Sequence, residues 1–138
     1  MRRFVLQAAG VVLALVLLGC GQAQRPLPGC IYANAVLVYP KAQLGEDAMG
    51  GTYYDDEGNA VSETMTWFFE LKEPKDRVVE FYRTHWKGAQ ESVDDDGNVV
   101  FTLAPPNAEP GEGLTVRISE GKLRITEEVK PGKRKDDL

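Results

Sequence analysis

The sequence predicts an α+β fold in which a twisted antiparallel sheet of about five to six strands has one α-helix, about 74–87, packed on one face. Three patterns support this fold class. Segments 61–71 and 114–126 alternate between apolar and polar residues, as half-buried strands do, and 99–103 is a further strand-like run. Residues 78–86 repeat apolar and aromatic side chains at the spacing of an amphipathic helix. Turn sequences rich in Asp and Gly separate the strands.

The first elements of the domain are the least regular. Residues 35–39 form a short β-like run that ends at Pro40. Residues 43–51 are expected to form a loop, because this stretch holds three glycines. A strand is expected to start at 52–54 and to turn through Asp-Asp-Glu-Gly-Asn at 55–59.

The clearest strand covers residues 61–71. Its apolar face, interrupted by Glu63, consists of Val61, Met65, Trp67, Phe69 and Leu71. Its other face consists of Ser62, Thr64, Thr66, Phe68 and Glu70. Phe68 therefore points away from the apolar face, and beside Tyr53 or Tyr54 it would form a contact patch.

The predicted helix follows this strand directly. Pro74 suits a first helical turn, Asp76 lies near the positive end of the helix dipole, and Gly88 is a natural stop. The stripe expected to face the sheet contains Val78, Val79, Phe81, Tyr82, His85 and Trp86.

The C-terminal half reads as three strands and a tail. Residues 99–103 follow the turn Asp-Asp-Asp-Gly-Asn at 94–98. A tight Glu-Gly turn then joins 114–118 to a strand that begins at 123 and extends to 126 or as far as Val129. The side chains expected to point inward are Leu114, Val116, Ile118, Leu123 and Ile125. Residues 130–138 are expected to be a disordered polar tail.

The N-terminus has the pattern of an export signal. Arg2 and Arg3 precede an apolar run over 4–18, which is shorter than the ~20 residues of a membrane-spanning helix. The run ends in Leu17-Leu18-Gly19-Cys20, which resembles the lipobox of bacterial lipoproteins. An ordinary secretory signal with an incidental cysteine and an uncleaved signal anchor are the alternatives.

The lipobox resemblance implies a lipid anchor. Residues 1–19 would be a signal peptide, removed once Cys20 has received acyl chains such as palmitate, and 20–29 would be a flexible tether to a single domain at 30–129. Two or more chains make attachment stable. The protein is then expected at the cell membrane, on its extracytoplasmic face. Because Gly21 is not aspartate, the periplasmic side of the outer membrane is favoured in a host with two membranes.

Length and charge set limits on the function. Removal of 1–19 leaves 119 residues, enough for one domain. The chain has 16 basic and 21 acidic residues; without Arg2 and Arg3 the balance is 14 to 21, a net charge of −7. Nucleic acid is not expected as a partner, because phosphate contacts need clustered Lys and Arg.

Two single residues are candidates for chemistry. Cys30 has no intramolecular cysteine partner once Cys20 is acylated, and it is expected to be a small buried residue. Pairing with another chain and a nucleophilic role are the alternatives. His85, the only histidine, is expected to be structural, because no serine elbow or second histidine accompanies it. No cofactor is expected: the Gly-x-Gly at 111–113 lacks the third glycine of a dinucleotide site.

The two acidic turns are candidates for a metal site. With Gly58 or Gly97 as the sixth ligand position, the twelfth would be Thr64 or Leu103, so neither turn has the terminal carboxylate of an EF-hand. Solvated hairpin turns are therefore expected and no metal; a weak divalent cation site is the alternative.

Three functions are open at this point. The first is a non-catalytic interaction module of the cell envelope that binds a protein or polymer. The second is a lipoprotein with a small apolar-ligand pocket, for which Trp67, Phe68 and Trp86 are the candidate residues. The third, least favoured, is an enzyme using Cys30 or His85. The mature domain, with Tyr39-Pro40-x-Ala42 and Phe81-Tyr82-Arg83, resembles domains of uncharacterised bacterial lipoproteins, which implies no particular activity.

Overall fold

The computed structural model describes residues 27–134. In chain order it contains β1 (Gln43–Tyr54), β2 (Ala60–Glu70), α1 (Lys75–His85), β3 (Gln90–Val93), β4 (Val99–Leu103), β5 (Gly113–Ser119) and β6 (Lys122–Val129). The predicted signal peptide, Cys20, residues 20–26 of the tether and residues 135–138 of the tail lie outside the described residues.

The six strands form one antiparallel sheet in the order β1-β2-β6-β5-β4-β3. The sheet is open, with β1 and β3 at its two edges. Helix α1 lies between β2 and β3 in the chain and therefore connects the second strand of the sheet to its far edge. The prediction of an antiparallel sheet of five to six strands with one helix is confirmed for residues 27–134.

One cluster of buried side chains forms the core. Its strand members lie on one face of the sheet: Trp67, Phe69, Phe101, Leu114, Val116, Ile118, Leu123 and Ile125. The inward set predicted for β5 and β6 is therefore confirmed. Val78, Val79 and Tyr82 of α1 belong to the same cluster, and the ring of Tyr82 lies 5.8 Å from that of Phe101, centroid to centroid.

Helix α1 is shorter than predicted. It begins after Pro74 and ends at His85, because Trp86 leaves helical geometry with φ −94° and ψ 83°. The expected inward position of His85 is wrong: its side chain is exposed and rests beside the ring of Phe81, which is itself only half-buried. The buried helical stripe is consequently narrower than the sequence pattern indicates.

Residues 35–39 are not a strand, although Val38 and Tyr39 are buried. A helix side chain supplies their backbone partners instead of a neighbouring strand. The Tyr82 hydroxyl donates to the carbonyl of Leu37 at 2.8 Å and accepts from the amide of Tyr39 at 3.1 Å. The apolar run is therefore an irregular segment held against α1 rather than part of the sheet.

The loop expected at 43–51 is also wrong, because these residues are the first nine of β1. Strand pairing with β2 gives their backbone groups partners, which outweighs the low strand propensity of glycine. The pairing register shifts between Leu44 and Ala48, where a bulge accommodates the extra residues. The short strand β3 was not predicted, since Gln-Glu-Ser-Val shows no apolar alternation.

Candidate functional site

The edge strand β1 is the longest fully exposed strand of the described chain. All 12 of its residues are exposed, and it pairs only with β2, so its other side has no strand neighbour. Of the six exposed large hydrophobic residues within 27–134, four lie in β1: Leu44, Met49, Tyr53 and Tyr54. Met49 is 62% exposed and Tyr53 is 59% exposed. A row of unpaired backbone groups thus lies beside apolar side chains.

The stretch of β1 after the bulge, residues 48–54 (Ala-Met-Gly-Gly-Thr-Tyr-Tyr), is uncharged. Edge strands are usually protected from pairing by charges, proline or short length, and this stretch has none of these. Gly50 and Gly51 carry no side chain at its centre, so nothing there shields the backbone from an approaching strand. We refer to residues 48–54 as the open edge.

The opposite edge of the sheet is different. Strand β3 has only four residues. Its Glu91 is held by the helix, because Arg83 donates from Nε and Nη2 to the two carboxylate oxygens at 2.9 and 2.7 Å. Short length and a charged side chain both disfavour pairing with another strand. The two edges of the sheet are therefore unequal as docking surfaces.

The two tryptophans predicted as pocket residues are both buried and hydrogen-bonded. Trp67 is 1% exposed, and its indole N–H donates to the carbonyl of Pro28 at 2.9 Å. The indole N–H of Trp86 donates to the carbonyl of Ala35 at 3.0 Å. Each indole therefore fastens the irregular N-terminal segment to the core.

Phe68 lies on the other face of the sheet, away from these tryptophans. The guanidinium of Arg124 lies over its ring, 5.6 Å from the centroid, an arrangement that favours a cation–π interaction. The same face carries a cross-strand row of hydroxyl side chains, Thr66, Thr126, Thr115 and Thr102. Phe68 is thus part of a mixed polar face and does not share a pocket with Trp67 or Trp86.

An open pocket of about 660 Å³ lies beside Trp86. Its apolar lining includes Ile31 and Ala35 from the N-terminal segment, Leu103 at the end of β4, and Pro105 from the β4–β5 connection. The volume lies within the usual range of ~300–1,000 Å³ for small-molecule sites. Trp67 does not line it.

A buried polar cluster joins the two ends of the described chain. Glu127 is fully buried, and its carboxylate accepts hydrogen bonds from the amides of Ile31 and Tyr32 at 3.1 and 2.6 Å and from the guanidinium of Arg134. Arg134 also donates to the carbonyl of Gly29 at 2.9 Å. The packed residues, from buried Leu27 to buried Arg134, therefore extend past both bounds predicted for the domain and include the first residues of the predicted tail.

Cys30 belongs to this cluster. Its thiol donates to Glu127 at 3.3 Å, so its hydrogen-bond partner is a carboxylate and not His85. Burial, together with the adjacent Glu127 charge, raises the pKa of the Cys30 thiol to about 12. A thiol with this pKa is protonated near neutral pH and is a poor nucleophile.

A second buried carboxylate, Glu112, lies between the tail and the N-terminal segment. It accepts from Lys133 Nζ at 2.8 Å, from the amide of Lys130 at 2.8 Å and from the hydroxyl of Tyr32. Burial favours the neutral acid, but these hydrogen bonds outweigh it and lower the pKa of Glu112 to about 2. The sequence indicates burial for only one of these two carboxylates. Glu127 follows Leu123 and Ile125 at the two-residue spacing of a strand and so shares their inward face.

The two acidic turns have the same internal hydrogen bonds. Oδ1 of Asp55 accepts from the amides of Glu57 and Asn59, at 2.9 and 2.8 Å. Oδ1 of Asp94 accepts from the amides of Asp96 and Asn98, at 3.0 and 2.9 Å. The glycine of each turn adopts a positive φ, 86° and 83°. These carboxylates therefore act as turn-forming groups within their hairpins.

Comparison with known proteins gives no relative: no family model, no curated protein and no solved structure matches the chain. Within residues 27–134, no three His, Cys, Asp or Glu side chains come together as a metal-binding group requires. The same part of the chain contains no helix with the length and apolar character needed to cross a membrane.

Proposed function

We propose that this protein is a non-catalytic interaction module of the bacterial cell envelope, held at the extracytoplasmic face of a membrane by acylated Cys20. The observation that carries this function is the open edge of β1. Its uncharged residues expose backbone groups and large apolar side chains together, and an unpaired strand edge is a template for pairing with another chain. The function then consists of pairing a partner with this edge.

The packing proposed for helix α1 and for the N-terminal segment supports that role. Helix α1 covers one face of the sheet, which agrees with its buried stripe and the contact between Tyr82 and Phe101. The tryptophan and glutamate contacts fix the N-terminal segment at the same side. Within residues 27–134 no strand covers the outer side of β1, so a partner strand has direct access to it.

The environment of the half-buried Cys30 thiol is the reason for proposing a non-catalytic role. Cys30 is protonated near neutral pH and is bonded to Glu127, while His85 is exposed on α1. A thiolate nucleophile needs a lowered pKa and a nearby base. The residues that were the best candidates for catalysis therefore lack the environment that activates them.

The interaction role is tested by photo-crosslinking of the full-length protein in its host. A photoreactive amino acid replaces Met49 in the open edge or, as the matched control, Val93 in the opposite edge strand, which is 65% exposed. We expect discrete adducts from position 49 and none from position 93. Absence of adducts from position 49, or the same adducts from both positions, would contradict the proposed function.

The anchor is tested separately. Cys20→Ser should give an unprocessed or soluble protein that no longer partitions into detergent, because the acyl chains that hold it are lost. Unchanged partition of the variant would remove the lipid anchor from the proposal.

A small apolar ligand is the second candidate function, favoured by the pocket of about 660 Å³ beside Trp86. Calorimetric titration with a medium-chain fatty acid should then give saturable binding. Ala104→Phe, which adds a ring to the pocket lining, should abolish that binding, whereas Met49→Phe on β1 should not. Absence of saturable heat in the unmodified protein would exclude this class of ligand.

A further inference from the structure

The open edge is bounded by acidic residues at both ends. Glu46 and Asp47 precede it within the bulge, and Asp55, Asp56 and Glu57 follow it in the β1–β2 turn. Seven uncharged residues therefore lie between two negative groups on one edge strand. Cross-strand neighbours lie about 5 Å apart, so these charges act directly on the ends of any strand that pairs here.

This charge pattern disfavours pairing with a second copy of the chain. A symmetric antiparallel pair of two open edges is centred on Gly51. That register would place Asp47 opposite the Asp55 of the other copy and Glu46 opposite its Asp56. Like charges directly opposite each other destabilise a strand pair, and the two copies also have the same negative net charge. The acidic residues at the two ends of the open edge thus disfavour self-association and leave residues 48–54 available to a different partner.

The same pattern favours a partner of the opposite charge. We propose that β1 binds an extended protein segment that pairs along residues 48–54 and carries Lys or Arg at both of its ends. Such a segment adds a seventh strand to the sheet by backbone hydrogen bonds, and its basic ends meet the two acidic groups. Its central side chains are uncharged and contact Met49 and Tyr53. This inference rests on the proposed function, because it specifies the class of partner that the open edge binds.

Two synthetic peptides test the charge selection on the full-length protein in detergent. Both alternate Thr and Val; one has a pair of lysines at each end and the other a pair of glutamates. Fluorescence anisotropy should show the lysine-ended peptide binding about tenfold more tightly or better at low salt. The difference should shrink at ~1 M salt, where the Debye length falls to ~3 Å. A third peptide, lysine-ended with alternate backbone amides methylated, should lose the binding because it cannot complete the ladder.

The chain contains a matched control for the acidic ends. Asp56→Lys/Glu57→Lys reverses the charge in the turn beside the open edge, and Asp95→Lys/Asp96→Lys does so in the sister turn beside β3. None of these four side chains forms the hydrogen bonds that hold its turn, because the carboxylates of Asp55 and Asp94 do so. The first variant should reduce the preference for lysine ends and the second should leave it unchanged.

Several outcomes overturn the inference. The first is no binding of the lysine-ended peptide at ~1 mM, and the second is equal binding of the lysine- and glutamate-ended peptides. The third is that the methylated peptide binds as tightly as the unmethylated lysine-ended one. The fourth is that the two turn variants change the preference for lysine ends equally. If crosslinks from position 49 persist while the peptides fail, the interaction surface stands and only its selection of a basic extended segment is wrong. If those crosslinks are absent, the proposed function itself falls.

Discussion

The ion pair between Glu127 and Arg134 gives a sharp prediction, because it is the buried pair that fastens the two ends of the described chain. Arg134→Met leaves the Glu127 carboxylate buried among neutral donors, the amides of Ile31 and Tyr32 and the Cys30 thiol. Removing one partner of a buried pair costs about 3–5 kcal/mol. We expect the lower end, about 3 kcal/mol, since these neutral donors still stabilise the charge.

A double-mutant cycle needs two further variants, Glu127→Leu and the double variant Glu127→Leu/Arg134→Met. Glu127→Leu leaves two backbone amides without an acceptor, at about 1–3 kcal/mol each, so about 4 kcal/mol is expected. The double variant should cost about the same as Glu127→Leu alone, because Arg134 keeps its hydrogen bonds to the carbonyls of Gly29 and Glu127 in that single variant and adds little to its cost. Arg134 Nε has no hydrogen-bond partner among the described residues, which lowers what the native pair contributes. The expected coupling is therefore about 3 kcal/mol.

Urea unfolding followed by circular dichroism measures these free energies on the full-length protein in detergent. The matched control is the exposed pair of Arg83 and Glu91, for which Arg83→Met and Glu91→Leu should both be nearly silent. Additive costs for the two Glu127 and Arg134 changes would refute the reasoning, because they would mean that the buried charges do not sense each other.

The remaining predictions concern the core, acid stability and calcium. Tyr82→Ala should lower the free energy of unfolding by about 3–5 kcal/mol, and Phe81→Ala by about half as much. The reason is that Tyr82 is fully buried and Phe81 is not. Equal losses would contradict this assignment of the helix face. The folded-state pKa of Glu112 is lowered from 4.5 to about 2, so its contribution is present above pH 4.5 and is lost as the pH falls toward 2. The unfolding free energy of the unmodified protein should therefore fall by about 2–3 kcal/mol more than that of Glu112→Gln across this window, and parallel pH curves would contradict it. Calcium at ~1 mM should raise the melting temperature no more than sodium chloride of equal ionic strength, because Asp55 and Asp94 already accept backbone hydrogen bonds; a calcium-specific gain near ~1.4 kcal/mol would indicate a site.

The sequence was sufficient where one local pattern decided the structure. The strict alternation around Ile118 and Leu123 fixes the inward face of β5 and β6, because a one-residue slip would expose the whole apolar set. The position of α1 after Pro74 follows similarly from its spacing and start signal. Each of these elements buries a face made of its own apolar residues, so the spacing of those residues in the sequence predicts the element.

The sequence was insufficient where distant contacts decided the structure. Glycines in β1 indicated a loop, but pairing with β2 made a strand of it. The apolar run ending at Tyr39 indicated a strand, but the hydroxyl of Tyr82 took its backbone bonds. Burial of Arg134 depends on nearby Glu127 and also on Gly29, which is 105 residues away in the chain. The candidate site was missed for the same reason, since the open edge exists only once the strand order is known.

Hydrogen exchange of the β1 amides tests the central claim most directly. The full-length protein is compared in native membrane vesicles of its host and after purification in detergent, with the β3 amides as the internal reference. Amides of residues 48–54 that face away from β2 should exchange fast in the purified protein and slowly in the vesicles, because the partner strand protects them there. Equal exchange of these amides in both preparations would contradict the claim that β1 is the surface the protein uses.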